Sequence, residues 1–105
     1  MKLMTKEIEK RLEKYPLYAQ DGKEEKTVVC KFFHPWGGYT WYVLEGEKQA
    51  DGDWLFYGYV EGQFGEYGYF TLSELTSIRF MGLGVERDMY FKPCKLSEVI
   101  REEVM

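Results

Sequence analysis

Histidine occurs once in this chain, at His34, and cysteine twice, at Cys30 and Cys94. A single histidine excludes any site that needs two and leaves one imidazole as a candidate base. The cysteines lie far apart in sequence, outside any close pair of the type that holds zinc or exchanges disulfides, so both read as reduced thiols. There is no phosphate-cradling GxxxxGK, no GxGxxG after a strand and no serine elbow. No run approaches the roughly 18 apolar residues needed to cross a bilayer. The N-terminal "MKLMTKEIEKRLEKY" lacks the apolar stretch of a secretory signal. These absences predict a cytoplasmic protein with no cofactor and no metal site.

What is present is a chain of 105 residues, a common size for one domain, with 45% apolar and 18% aromatic residues, enough to bury a core without staples. The formal charge is −4. Lys2, Lys6, Lys10, Arg11 and Lys14 make the first sixteen residues basic, whereas Glu45, Glu47, Asp51, Asp53, Glu61 and Glu66 face Lys48 alone over residues 45–66. Such a stretch is unsuited to tracking a phosphate backbone, which disfavours general nucleic-acid binding.

Thr5 is placed to cap a helix in which Ile8, Leu12 and Tyr15 share a face, with Pro16 as its stop. "LYAQDGKEEK" reads as a polar connection turning at Asp21-Gly22. From Thr27 the period becomes two, and "TVVCKFFH", "YTWYVLEG", "DWLFYGYVE" and "GEYGYFTL" read as four strands joined by hairpin-length turns. Gly58 and Gly68 interrupt the last two. A two-residue or a four-residue loop after Glu61 would lay each glycine under a tyrosine of the neighbouring strand. "TLSEL" carries a capping box, Thr71 with Glu74, for a short helix reaching roughly Arg79. A fifth strand within "MGLGVERDMYFKP" ends at Pro93, and "KLSEV" starts a last helix with Leu96, Val99 and Ile100 on its apolar side and Glu98, Arg101 and Glu102 on the other. The expected architecture is α+β: one domain over 1–105, a four- to five-stranded antiparallel meander sheet, and an N-terminal, a short middle and a C-terminal helix packed mainly on one face.

"GVERDMYF" places two carboxylates and an arginine in that fifth strand. Alternation sends Val85, Arg87, Met89 and Phe91 one way and Glu86, Asp88, Tyr90 and Lys92 the other. Arg87 therefore falls on the apolar side, where a guanidinium must reach a buried acceptor or border a cleft. Glu86 and Asp88 share a face at about 7 Å, a spacing open to an acid–base pair but common on solvated strands. Cys30 and His34 share a face of the first strand about 13 Å apart, too far for one to activate the other. "DGD" at 51–53 lacks the later acid of a calcium loop and reads as a hairpin turn.

The density of rings between Trp36 and Phe70 is the strongest unusual feature. Three short helices cannot blanket both faces of the sheet, so an aromatic surface stays open for a partner. Candidate binding residues are Trp36, Trp41, Trp54, Tyr57, Tyr59, Tyr67 and Tyr69, with Glu86, Arg87 and Asp88.

Over nearly its whole length, and most specifically in "GYFTLSEL" and "VERDMYF", the chain resembles a family of small uncharacterised bacterial proteins, a domain of unknown function that recurs on plasmids, integrative elements and phages. The resemblance implies a mobile-element setting and assigns no catalytic residue. Together the residues and the resemblance favour a non-catalytic binding protein that engages a host or element-encoded protein, in counter-defence or DNA transfer. The alternative is a nucleotide-like small molecule held at Arg87.

Overall fold

In the computed structural model, which describes residues 1–100, the chain forms helix α1 (Lys6–Leu12) and strands β1 (Thr27–Val28), β2 (Cys30–Phe33), β3 (Thr40–Lys48), β4 (Trp54–Glu61) and β5 (Gly65–Thr71). Helix α2 (Leu72–Ser77), strands β6 (Glu86–Arg87) and β7 (Cys94–Lys95) and helix α3 (Leu96–Val99) follow. The architecture is α+β, and β2 to β5 form the antiparallel meander, with β6 added beside β2 to give the order β5-β4-β3-β2-β6. β1 pairs separately with β7. Among the described residues, no helix is long and apolar enough to cross a membrane.

α1 and α2 form for the reasons legible in their sequences. Thr5 accepts the Ile8 N–H at 3.1 Å, and Ile8 and Leu12 are buried. α1 ends at Leu12, ahead of Pro16. In α2 the Thr71 hydroxyl and Glu74 carboxylate satisfy each other's amides in a full capping box. That helix ends at Ser77, two residues short of Arg79. Asp53 supports it from the preceding hairpin, accepting the Ser73 N–H at 3.0 Å and its hydroxyl at 2.7 Å. The Ser73 side-chain bond, ahead of the main-chain bonds, holds the Asp53 carboxyl below its ordinary range.

The sheet has an apolar cluster on each side. On the first face Phe32, Trp41, Val43, Phe56 and Phe70 pack with Ile8 and Leu12 of α1, Leu75 of α2, and Leu3, Met4 and Val85. On the second face Val28, Tyr42 and Leu44 pack with Leu96 of α3, flanked by Tyr57, Tyr59 and Phe91. Two helices thus share one face and α3 takes the other, because β7 pairs with β1 and carries Leu96 across. Residues 101–105 lie outside the described part, and with them Arg101 and Glu102 of the expected polar side of the last helix.

Three expectations are corrected. The β4–β5 connection has neither two nor four residues: Glu61 pairs with Gly65 around a three-residue turn at 62–64. Gly58 consequently faces Gly68, and Tyr57 faces Tyr69 and Tyr59 faces Tyr67, so the cross-strand pairs are tyrosine with tyrosine. The ring-over-glycine contacts fall elsewhere, with Tyr39 over Gly62 and Tyr59 over Gly65. Finally, β6 stops at Arg87, because Asp88 turns the chain by accepting the Tyr90 N–H at 3.0 Å. Phe91 thereby reaches the second cluster while Val85 stays in the first, contrary to a continuous alternation.

A β-bulge in β3 links the two faces. Val43 pairs with Gly58 and Glu45 with Tyr57, leaving Leu44 as the extra residue, so Leu44 and Glu45 both point to the second face. Glu45 is 3% exposed there. Its two oxygens accept the N–H groups of Tyr18 at 2.8 Å and Gln20 at 2.7 Å. The buried Gln20 amide donates to the carbonyls of Thr27 (2.9 Å) and Leu44 (2.8 Å) and accepts the Thr27 N–H at 2.7 Å. The polar-looking connection after α1 is therefore bolted to the sheet. At the same bulge, a side chain at Gly58 would run into the Tyr42 carbonyl.

Two outcomes follow. Glu45→Gln replaces one acceptor by a donor facing a buried N–H, and loses about 1–3 kcal/mol in urea unfolding. Gly58→Ala loses about 1–3 kcal/mol by overpacking against β3. An unchanged urea midpoint in either variant contradicts the corresponding contact.

Candidate binding surface

The three-residue turn sets the site. By putting β4 and β5 in tyrosine-to-tyrosine register, it lines Tyr57, Tyr59, Tyr67 and Tyr69 on the second face, where Tyr57 and Tyr59 flank the cluster that holds Leu96 and Tyr67 and Tyr69 lie outside it. Tyr57 and Tyr69 have ring centroids 4.9 Å apart, Tyr59 and Tyr67 5.2 Å, and Tyr57 stacks on Tyr67 at 6.2 Å with planes 9° apart. The rings thus form one connected tier with edge and face contacts of the favourable kind. Its outer members stay open, Tyr67 at 48% and Tyr69 at 52% exposure.

Tyr18 completes the tier, 64% exposed and beside Tyr69, whose hydroxyl pKa it raises. It takes a left-handed backbone, φ 73°, on the connection that Glu45 anchors. Sequence reading passes over it because it lies in a polar loop; the only signal is a tyrosine among turn residues. The surroundings are acidic. Burial, then Tyr67, Glu45 and Asp21, push the Tyr57 hydroxyl above its ordinary range. Tyr18, then burial and the fields of Tyr57 and Asp21, do the same for Tyr69. Alternation puts Glu47 and Glu61 on this face as well, and sends Lys48 to the other with its partner Trp54.

The remaining candidates are dispersed. Trp41 is buried in the first cluster and Trp54 is half-buried against Phe56, stacked at 6.3 Å, so both are parts of the core. Trp36 is exposed at the β2–β3 turn, where it borders, with Tyr39 and Phe80, a groove of about 510 Å³. Glu86, Arg87 and Asp88 occupy the opposite edge of the sheet. Arg87 lies on the core side, as alternation requires, and its guanidinium donates to the Lys2 carbonyl, tying down the N-terminal segment. It also lines two cavities, one of about 170 Å³ with Arg11 and Cys30 and an open cleft of about 600 Å³ with Lys31, Glu86 and Asp88. Asp88 pairs with Lys31 at 3.5 Å, and Lys31 in turn lies over the Tyr42 ring. The run "ERD" is thus one main-chain tether and one half-exposed ion pair of the kind that contributes about 0–1 kcal/mol.

The nucleophile and base candidates are committed to the fold. His34 donates from Nε2 to the Leu83 carbonyl at 2.9 Å, and its Nδ1 accepts the Trp36 and Gly37 N–H groups at 3.1 and 2.8 Å. The ring closes two loops and has no nitrogen left over. Burial pushes the Cys30 thiol up to about 12, against the smaller opposing fields of Arg11 and Arg87. Among the described residues, no three histidine, cysteine or acidic side chains are grouped to hold a metal ion.

A family model described as "Protein of unknown function (DUF2958)" matches residues 3–102, and the chain belongs to that family. No curated protein and no solved structure matches it.

The thiols check the placement of Cys30 in the core. Cys30 ionises near pH 12, so little thiolate exists at pH 8. Iodoacetamide at pH 8 is expected to label native protein at Cys94 alone, slowly, since burial and Glu98 also raise that thiol. Cys30 should lag an ordinary cysteine by at least about 10³-fold, from its displaced ionisation alone, until the protein is denatured. Equal labelling of both thiols in the native state would show that Cys30 is accessible.

Proposed function

We propose that this member of a family of unknown function is a non-catalytic binding protein, and that its tyrosine tier receives an arginine- or lysine-bearing segment of a protein partner. The observation that carries this reading is the coincidence of open, mutually braced rings with acids on one face. Tyr67 and Tyr69 offer ring surface already ordered by Tyr57 and Tyr59, so little conformational freedom is lost on binding. A guanidinium or ammonium over such a ring gains about 0.5–2 kcal/mol. Asp21, Glu47 and Glu61 add a complementary field that steers a cationic segment and discriminates against an acidic one. The commitment of His34 and Cys30 to structural roles supports binding over catalysis.

The resemblance to proteins of plasmids, integrative elements and phages supports a partner encoded by the host or by such an element, in counter-defence or DNA transfer. A cytoplasmic setting belongs to the same reading, and both cysteines are free thiols. The alternative, a nucleotide-like ligand at Arg87, carries less support. The guanidinium is already engaged by the Lys2 carbonyl, the 170 Å³ cavity it lines is below the roughly 300 Å³ at which ligand pockets begin, and the open cleft of about 600 Å³ that it also lines carries Glu86 and Asp88, which oppose a phosphate.

Titration with an oligo-arginine peptide, followed by tyrosine fluorescence, tests the proposal. Saturable binding that weakens with salt is expected, and Tyr67→Ala with Tyr69→Ala should weaken it by about tenfold or more, on the scale of two lost cation–ring contacts. Both side chains are half-exposed, so the double variant should keep its fold. Binding that is absent, or indifferent to the two substitutions, would overturn the assignment of this face.

A further inference from the structure

The two edges of the five-stranded sheet are finished differently. β6 is two residues long, and the N-terminal segment closes it: the Arg87 N–H is directed at the Met1 sulfur at 3.1 Å, and the Arg87 side chain holds the Lys2 carbonyl. β5 is seven residues long, and of the usual guards of an exposed edge it carries one charge only. It contains no proline, lysine or bulge, and its one charge is Glu66.

The outward backbone of β5 is unused at Tyr67 and Tyr69 among the described residues, and taken only at the strand's end. The Thr71 N–H goes to the Glu74 carboxylate at 2.9 Å, which places it on the side away from β4. By alternation, the N–H and C=O groups of Tyr69 and Tyr67 point off the sheet too, and among the described residues none bonds them. Gly68, between them, has no internal reason to be glycine. A side chain there would meet nothing within 4 Å, and its backbone is not left-handed. Gly58, by contrast, is required by the β3 carbonyl. A strand glycine weakens the strand, and one without a bulge or bend marks a place where another backbone or a ligand comes close.

We propose that β5 is the interface for a second copy of this chain, paired antiparallel about a two-fold axis at Gly68. Gly68 is the midpoint of Gly65–Thr71, so this register alone spans the whole strand, with the end Thr71 N–H kept by Glu74. It sets Tyr67 against Tyr69 of the second copy, Glu66 against Phe70 and Gly65 against Thr71, with no like charges opposed. At the axis the two glycines form a non-hydrogen-bonded pair, the closer of the two antiparallel spacings, which suits residues without side chains. The result is an isologous dimer with one continuous ten-stranded sheet and two tyrosine tiers merged on one face. The self-complementary pattern favours a second copy over a strand of another protein. The inference stands independently of the cationic-segment reading.

Sedimentation equilibrium at micromolar concentrations is expected to give twice the 12.5 kDa chain mass. Gly68→Lys has room for its side chain in the monomer but opposes two ammonium groups at the axis, so it should sediment as a folded monomer with unchanged circular dichroism. Gly68→Cys in a Cys94→Ser background should form a covalent dimer on mild oxidation, because the two thiols face each other. A wild-type protein that stays monomeric, or a dimer that survives Gly68→Lys, overturns the proposal. Should Gly68→Lys unfold, the cysteine variant decides: no covalent dimer means no two-fold at Gly68.

Discussion

The Glu45 carboxylate is buried on the second face of the sheet with no cation paired to it among the described residues, and it is satisfied by the main-chain N–H groups of Tyr18 and Gln20. Much else in the molecule depends on that arrangement. A carboxylate taken out of water is tolerated only if hydrogen bonds replace its hydration, so the connection after α1 must lie where those two amides can reach it. Gln20 then fixes the carbonyls of Thr27 and Leu44, which seats β1 beside the bulge. β1 positions β7, and β7 delivers Leu96 onto Tyr42 and Leu44. The same connection brings Tyr18 against Tyr69. One bulged residue thus determines both how the second face is closed and where it remains open.

A chain of this length has too few helical residues to cover two faces, and the distribution of cover sets which rings stay open. α1 and α2 close the first face around Phe32 and Phe56, which are fully buried. The second face is closed over β1 and β3, partly covered at β4 and open at β5, where braced tyrosines meet acidic neighbours. Rings fixed by one another present a surface with little freedom to lose, which favours recognition over a merely exposed apolar patch. The lightly guarded β5 edge borders this open part, so pairing there would extend the tyrosine surface rather than hide it.

The α+β class, the four meander strands, the Thr5 and Thr71 caps and the apolar sides of α1 and α3 are legible in the sequence, because capping and periodicity depend on residues within a turn or two of each other. So is the placement of Arg87 on the core side. The lining of tyrosines depends on the length of one turn, and two, three or four residues are all compatible with "EGQFGE"; the choice rests on how Gly62 and Gly65 pack under the rings of Tyr39 and Tyr59. Trp41 and Trp54 look like surface candidates in an aromatic-rich stretch, and only their registration over Phe56 and against α1 and α2 makes them core.

The roles of Glu45, Gln20 and His34 are not written in their neighbours at all. Each is a polar residue whose partners lie far along the chain, at Tyr18, Leu44 and Leu83 among others, and burial brings them within hydrogen-bond reach. The sequence by itself determined which segments become strands and helices, since local backbone preference and side-chain period suffice for that. Only the tertiary structure decided which tyrosines stay open, which glycine lacks an internal neighbour and which carboxylate is buried, because each of those is a property of the space between segments.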